Sequence, residues 1–254
     1  MLTIFVLILL LILLFNPVYL KDLEYLTKVP FDNISPLLNN NLLKNPNKIK
    51  NKILIITFDD RNKEPFVIEH NKNVKQYVNK WGYEYKFFDT CNHPVYWCKI
   101  YMLLDELNTN KYDYVMWLDS DTVIKRSDIF LDDILNKYNS DIFIGDDNAH
   151  YWYVLNSGVF IIKNSTIGRQ FLQDCINNFD KKNCLKDGKL LGMWGGSCYE
   201  QGIMNLLILE KYYKYTTLLP KNIIYNSEKC SNNVFVMHNY GQTSSSRFNC
   251  FKNP

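Results

Sequence analysis

From Lys52 onward the chain alternates short runs of β-branched and aromatic residues with amphipathic stretches, and this alternation limits the possible folds more than any other feature. The segments "KILIITF", "YEYKFF" and "YVMWLD" read as strands, with helices expected between them over Pro65 to Lys80 and Tyr96 to Asn108. A β-α-β-α-β order predicts an α/β domain: a Rossmann-type, mainly parallel sheet flanked by helices, with right-handed crossovers and ligands gathered at the carboxyl ends of its strands. Further helices are expected over Ile129 to Tyr138, Ile167 to Phe179 and Gln201 to Tyr212, and further strands at "DIFIG", "SGVFIIK" and "VFVMH".

The N-terminus has a different character. Met1 to Phe15 is uniformly apolar, and with "NPVYL" the run reaches Leu20, near the roughly 20 residues that cross a bilayer as a helix. It lacks a basic n-region and an A-x-A-like cleavage site, which favours an N-terminal hydrophobic anchor helix over 1–20 against the competing reading of a cleaved signal. Residues 21–51, rich in Asn, Lys and Pro, read as a stem, and residues 52–254 as the folded domain. Seven cysteines without a C-x-x-C pair argue against a zinc ribbon and are compatible with disulfides. The sequons at Asn33 and Asn164 suit a glycoprotein, so the expected setting is a single-pass membrane protein with a luminal domain. A net charge of +3, with basic residues scattered among acidic ones, argues against a nucleic-acid partner.

The third strand ends in Asp119, Ser120 and Asp121. Carboxylates two residues apart point to opposite faces of a continuing strand, but in a turn they can converge on a hard cation such as Mg2+ or Mn2+, which could then bridge to a diphosphate. A solvated turn is the ordinary alternative. "LDSDTV" also resembles the D-x-D-x-T/V opening of haloacid-dehalogenase-like phosphatases, with Asp119 as nucleophile, and Asp146 and Asp147 imitate their later acidic motif. Here only about one helix and one strand separate the two motifs, whereas those enzymes place a phosphate-binding Lys and more chain between them.

Taken in order, "YWCK", "YVMWLDSDTVI", "NSGVFIIKNS", "WGGSCYEQGIMNLL" and "VFVMHNYG" resemble GT-A-type glycosyltransferases over roughly Lys52 to Gly241. The similarity is greatest to the galactosyl-, mannosyl- and xylosyltransferases of glycosyltransferase family 34, and extends more distantly to other retaining families with an H-x-x-G motif. The resemblance implies a GT-A-like domain in which Asp119, Asp121 and His238 hold Mn2+ (or Mg2+) together with a UDP- or GDP-sugar. It marks Ser120 as a donor-binding residue, gives Lys99 the role of neutralising a donor phosphate or organising the acidic turn, and sets Gly241 where the backbone approaches the diphosphate. It sets Asn156 and Ser157 against sugar hydroxyls, with Gly158 permitting close approach, and Glu200 and Gln201 as the catalytic pair flanking the reacting sugar. The strand-end position of Thr57, Asp59 and Arg61 suits base or ribose contacts. Trp194, Gly195 and Gly196 suit an acceptor loop, because aromatic faces stack on sugars. Family members often follow H-x-x-G with a phosphate-binding cation, and here the first cation is delayed to Arg247.

The expected activity is a metal-dependent, retaining glycosyl transfer of a hexose or pentose from a nucleotide-diphosphate sugar to a glycan or glycosylated acceptor. The alternatives are the phosphatase chemistry above and a catalytically inactive module that binds nucleotide-sugars or glycans.

Overall fold

The computed structural model of the protein describes residues 50–147 and 155–252. In chain order the elements are β1 (Ile53–Phe58), α1 (Pro65–Trp81), β2 (Glu84–Phe88), α2 (Cys98–Asn108, entered through a 3-10 turn at Val95–Trp97), β3 (Tyr114–Leu118), β4 (Thr122–Ile124), α3 (Leu131–Leu135), β5 (Ile142–Asp146) and β6 (Leu155–Lys163). They continue as α4 (Thr166–Asn177), α5 (Lys181–Cys184), a small hairpin of β7 (Leu185–Lys186) and β8 (Lys189–Leu190), α6 (Glu200–Leu207), β9 (Thr216–Leu219), β10 (Ile224–Asn226), β11 (Val236–His238) and α7 (Ser244–Lys252).

A six-stranded sheet in the order β2-β1-β3-β6-β5-β9 forms the centre, and a three-stranded sheet in the order β10-β11-β4 adjoins it. β3 is apolar at every position because both faces of the sheet are covered there. Along β3, Val115 and Trp117 join a cluster with Leu54, Ile56, Phe160, Phe171 and Met204, while Tyr114, Met116 and Leu118 join another with Ile55, Tyr77, Ile161 and Val236. This is the two-residue period of a strand placed between two layers.

The expected mainly parallel sheet is corrected to a mixed one. β1 runs parallel to β2 and β3, and β5 parallel to β9, but β6 is antiparallel to both of its neighbours, β3 and β5. Only residues 147–154 connect β5 to β6, which is shorter than the dozen or so residues that a parallel crossover requires. The expected helix over Gln201 to Tyr212 stays α-helical only to Leu207, then widens into a π-turn over Ile208–Tyr212.

The expectations of an anchor helix, a membrane partner and a single-pass luminal placement are also corrected. No helix among the described residues is long and apolar enough to cross a membrane. The longest, α1, has 17 residues and carries Glu69, Lys72, Lys75 and Lys80 opposite the face it buries with Phe66, Val74 and Tyr77. Residues 1–49, on which those expectations rested, lie outside the described residues, and the Asn33 sequon is among them. The Asn164 sequon lies between β6 and α4, where its amide nitrogen donates to the Tyr112 carbonyl (2.9 Å) and its oxygen accepts from Arg169.

Three disulfides, Cys91–Cys98, Cys184–Cys198 and Cys230–Cys250, use six of the seven cysteines and leave Cys175 buried and reduced. Each fastens a segment outside the large sheet. Phe160, fully buried at the middle of β6, tests the core directly: Phe160→Ala is expected to destabilise the domain by about 3–5 kcal/mol, read as a lower urea midpoint at unchanged slope.

Candidate active site

The turn after β3 carries the chain from the large sheet into the small one. β3 stops at Leu118; the Asp119 amide then donates to the Gly158 carbonyl (2.8 Å), and the Thr122 amide (3.0 Å) and hydroxyl (2.8 Å) both donate back to the Asp119 carbonyl. The chain leaves this turn as β4, the edge of the small sheet. There Thr122 is the register partner of His238, and His238 is in turn the register partner of Asn226. The Asn239 amide donates to the Asp121 carbonyl (3.0 Å), fastening the end of β11 to the turn.

This pairing places a distant histidine against the two carboxylates. One ligand atom from each of Asp119, Asp121 and His238 lies within 4.8 Å of the others. His238 Nε2 is 3.2 Å from Asp121 Oδ1 and 3.9 Å from Asp119 Oδ2. The far oxygens have other partners: Asp119 Oδ1 accepts from Trp117 Nε1 (2.6 Å) and Lys99 Nζ (3.1 Å), and Asp121 Oδ2 faces Arg247 (3.0 Å). Each carboxylate therefore offers one oxygen to the centre.

The imidazole is fixed from behind. Asn226 Nδ2 donates to the Asp146 carbonyl (2.6 Å), so Asn226 Oδ1 is turned toward His238 and accepts from Nδ1–H at 2.9 Å. That arrangement leaves Nε2 as the ring atom able to meet a cation, with the kind of hydrogen-bonded support found behind metal-ligating histidines. Burial alone would disfavour the charged forms, yet neighbouring charge prevails. His238 and Arg247 hold the Asp121 carboxyl down to about 2, and Asp121, against the pull of burial, raises the His238 imidazole above its ordinary value. Carboxylates that stabilise a proton on Nε2 also stabilise a cation there, and two hard oxygens with one imidazole suit Mn2+ or Mg2+.

Around this cluster opens a cavity of about 730 Å³, lined by every residue marked from the sequence as catalytic, donor-binding or metal-binding except Thr57. Thr57 lies behind the site, its hydroxyl bonded to the buried His70 (2.8 Å), whose other ring nitrogen meets the Thr122 carbonyl (2.8 Å). Asp59 is saturated by Arg61 and by the Ser120 hydroxyl, so it aims the Arg61 guanidinium and ties β1 to the acidic turn. Arg61 and Arg247 both pack over the ring of Phe66, at 5.3 and 5.2 Å, bringing two cations to one wall.

On the opposite wall, the buried Lys99 ammonium lies 3.1 Å from both Asp119 and Glu200 and donates to the Ser157 carbonyl (3.2 Å). Burial opposes its charge, but the two carboxylates outweigh that and raise its pKa. Glu200 also accepts from the Ser157 hydroxyl (2.9 Å), and Gln201 Oε1 from the Ser157 amide (3.0 Å). Gln201 Nε2 is buried in the cavity wall without a hydrogen-bond partner, as is Arg247 Nε. An orphaned buried donor costs roughly 1–3 kcal/mol, a cost that an oxygen-rich ligand would relieve.

Gly158 has a more local reason to be glycine than approach to a sugar. A Cβ built there would fall 2.1–2.6 Å from three atoms of the His238 ring. Gly241, with φ at +68°, turns the chain after β11 in a conformation that L side chains rarely adopt.

Sequence reasoning missed four contributors. Trp117 holds Asp119 from two residues away, a pairing suggested by the side-chain alternation of β3. Asn226 carries no local signal, and Asp147 and Tyr240 stood in quoted motifs without this role: Asp147 accepts from Asn156 (2.9 Å), nine residues on, and from Tyr240 (3.1 Å) far along the chain. Two substitutions test the assembly. Asn226→Ala is expected to weaken Mn2+ binding about 10–100-fold, read by titration with electron paramagnetic resonance detection. Gly158→Ala is expected to weaken it as well by displacing the His238 ring, so affinity equal to the unsubstituted protein would show that the ring has room to move.

Neither protein-family models nor curated protein sequences match this chain. Solved structures do. A glycosyltransferase involved in the glycosylation of the major capsid of PBCV-1 superposes with a TM-score of 0.61 at 13% identity, covering 79% of this chain and 98% of that one. The glycosyltransferase GlyE of Streptococcus pneumoniae TIGR4 matches over 79% of this chain and 60% of its own, at 11% identity and a TM-score of 0.48, too low to carry weight. The protein therefore has a mixed α/β fold with distant structural likeness to GT-A-fold glycosyltransferases, not to family 34 in particular, and it bears an Asp119–Asp121–His238 cluster able to hold a divalent cation.

Proposed function

We propose that the protein is a metal-dependent glycosyltransferase that uses a nucleotide-diphosphate sugar, with Mn2+ or Mg2+ held by Asp119, Asp121 and His238. The observation that carries this reading is the convergence of one oxygen from each carboxylate with an Nε2 whose ring is fixed by Asn226. The bound cation would supply Lewis-acid stabilisation of the departing diphosphate.

The chain's own groups complete the site. Arg247, whose Nε lacks a partner, and Arg61 present positive charge to the diphosphate from the Phe66 wall. Asn156, Ser157 and Gln201 face the donor sugar, and Gln201 Nε2 has a free donor for a sugar oxygen. Glu200 is held by Lys99 and Ser157, so it positions that wall and does not attack the anomeric carbon. This supports a retaining course on the leaving-group face: the acceptor oxygen bonds to the anomeric carbon as the bond to the diphosphate breaks, and a diphosphate oxygen takes the acceptor proton. The transferred unit is a hexose or pentose from a UDP- or GDP-sugar, and the acceptor a glycan or glycosylated molecule.

Phosphatase chemistry fits the geometry less well. Asp119 Oδ1 is occupied by Trp117 and Lys99, while Asp146 pairs with Lys221 and Asp147 is held by Asn156 and Tyr240. A fold that binds donors without turnover would show nucleotide binding and no transfer.

Thermal unfolding with UDP or GDP, with and without Mn2+, tests the donor site. A nucleotide at 100 times its Kd should stabilise the protein by about 2.7 kcal/mol, in a metal-dependent way. Asp121→Ala and His238→Ala should each remove that shift. Failure of every nucleoside diphosphate to stabilise the unsubstituted protein would sink the reading.

A further inference from the structure

Three aromatic side chains form a fixed group at the mouth of the cavity. Trp194 stands edge-on to Tyr96 with ring centroids 4.8 Å apart and lies 5.1 Å from Tyr199, which is itself 5.3 Å from Tyr96. Trp194 is 53% and Tyr96 37% exposed, both unusually open for rings this large. Both line the cavity.

The group is tied to the reaction centre by short covalent steps. Tyr199 directly precedes Glu200, and Tyr96 lies three residues before Lys99, so the rings flank the Lys99–Glu200 pair from both elements that supply it. Burial, and after it the Glu200 carboxylate, raises the Tyr96 phenol above its ordinary value.

The platform is also rigid. The Cys184–Cys198 disulfide closes the segment carrying Trp194, and Trp97 Nε1 donates to the Cys198 carbonyl (3.0 Å). The Gly195 and Gly196 carbonyls press against Gly202 of α6 so closely that a Cβ there would lie 2.1 Å from Gly196 O. Exposed aromatic faces held in place, beside a wall of hydrogen-bonding groups, match the flat C–H face and hydroxyl edge of a pyranose.

We propose that Trp194, with Tyr96 and Tyr199, is the platform on which the acceptor saccharide stacks, placing its hydroxyl toward the Lys99–Glu200 wall. The inference rests on the glycosyltransferase reading and assigns the acceptor's chemical class to the part of the cavity beside the Lys99–Glu200 pair. A peptide lying on the same rings is the competing outcome.

Saturation-transfer NMR on the full chain with Mn2+ and UDP, using a panel of methyl hexosides and pentosides, tests it. Saturation is expected to pass to ring C–H protons of at least one glycoside. Trp194→Ala is expected to weaken that binding about tenfold, and Trp194→Phe to restore most of it. Tyr96→Ala provides a second variant should Trp194→Ala fail to fold. Equal binding by both alanine variants overturns the platform, as does an unsubstituted protein that accepts saturation-transfer contact with none of the glycosides or with an aromatic peptide only. The Mn2+-dependent nucleotide shift, measured on the same samples, separates the two failures: its loss in the unsubstituted protein defeats the donor reading, whereas its presence without glycoside contact defeats the platform alone.

Discussion

The register of the small sheet determines the chemistry of this molecule. Pairing of Thr122 with His238, and of His238 with Asn226, sets three residues from distant parts of the chain side by side. A slip of one residue would turn each side chain to the opposite face, taking the imidazole away from Asp121 and Asn226 away from the imidazole. The turn at Asp119 to Thr122 joins this register to the large sheet, because the Asp119 amide is bound to β6 and Thr122 already belongs to β4. Gly158 completes the junction by leaving room for the ring that the register delivers.

Charge is distributed around that junction so that no buried ion lacks an opposite. Lys99 bridges Asp119 and Glu200, Arg247 meets Asp121, and Arg61 meets Asp59. Such pairs recover the cost of taking ions out of water only when their geometry is good, so they are weak evidence of stability. Their arrangement speaks more clearly of binding: Asp119 and Asp121 each meet a cation on the outer oxygen and turn the inner one toward His238, and two nearby donors, Gln201 Nε2 and Arg247 Nε, are buried without acceptors.

The periphery serves the same centre. Cys98 precedes Lys99, Cys198 stands two residues before Glu200, and Cys250 lies on the helix that carries Arg247, so each disulfide anchors an element that delivers a cavity residue. The rigidity that a mixed sheet lacks at its loops is supplied covalently.

Much of the fold was legible because buried strands and amphipathic helices leave periodic signatures: β1, β3, α1, α2 and α4 stand close to where their patterns put them. The short strands β4, β9 and β10 and the helix α7 carried too few residues to show a period, and the antiparallel course of β6 depends on the length of a hairpin rather than on its own composition. By itself the sequence determined the acidic turn after a buried strand and, by motif order, the candidate partnership of Asp119 and Asp121 with His238. Only the tertiary structure decided that Asn226 orients the imidazole, that Thr57 turns away to His70, and that Arg247 returns from α7 to Asp121. Asn226 and His238, like Thr57 and His70, lie on consecutive elements, and Arg247 comes from the far end of the chain; in each case sheet pairing and packing, not local spacing, choose the neighbours.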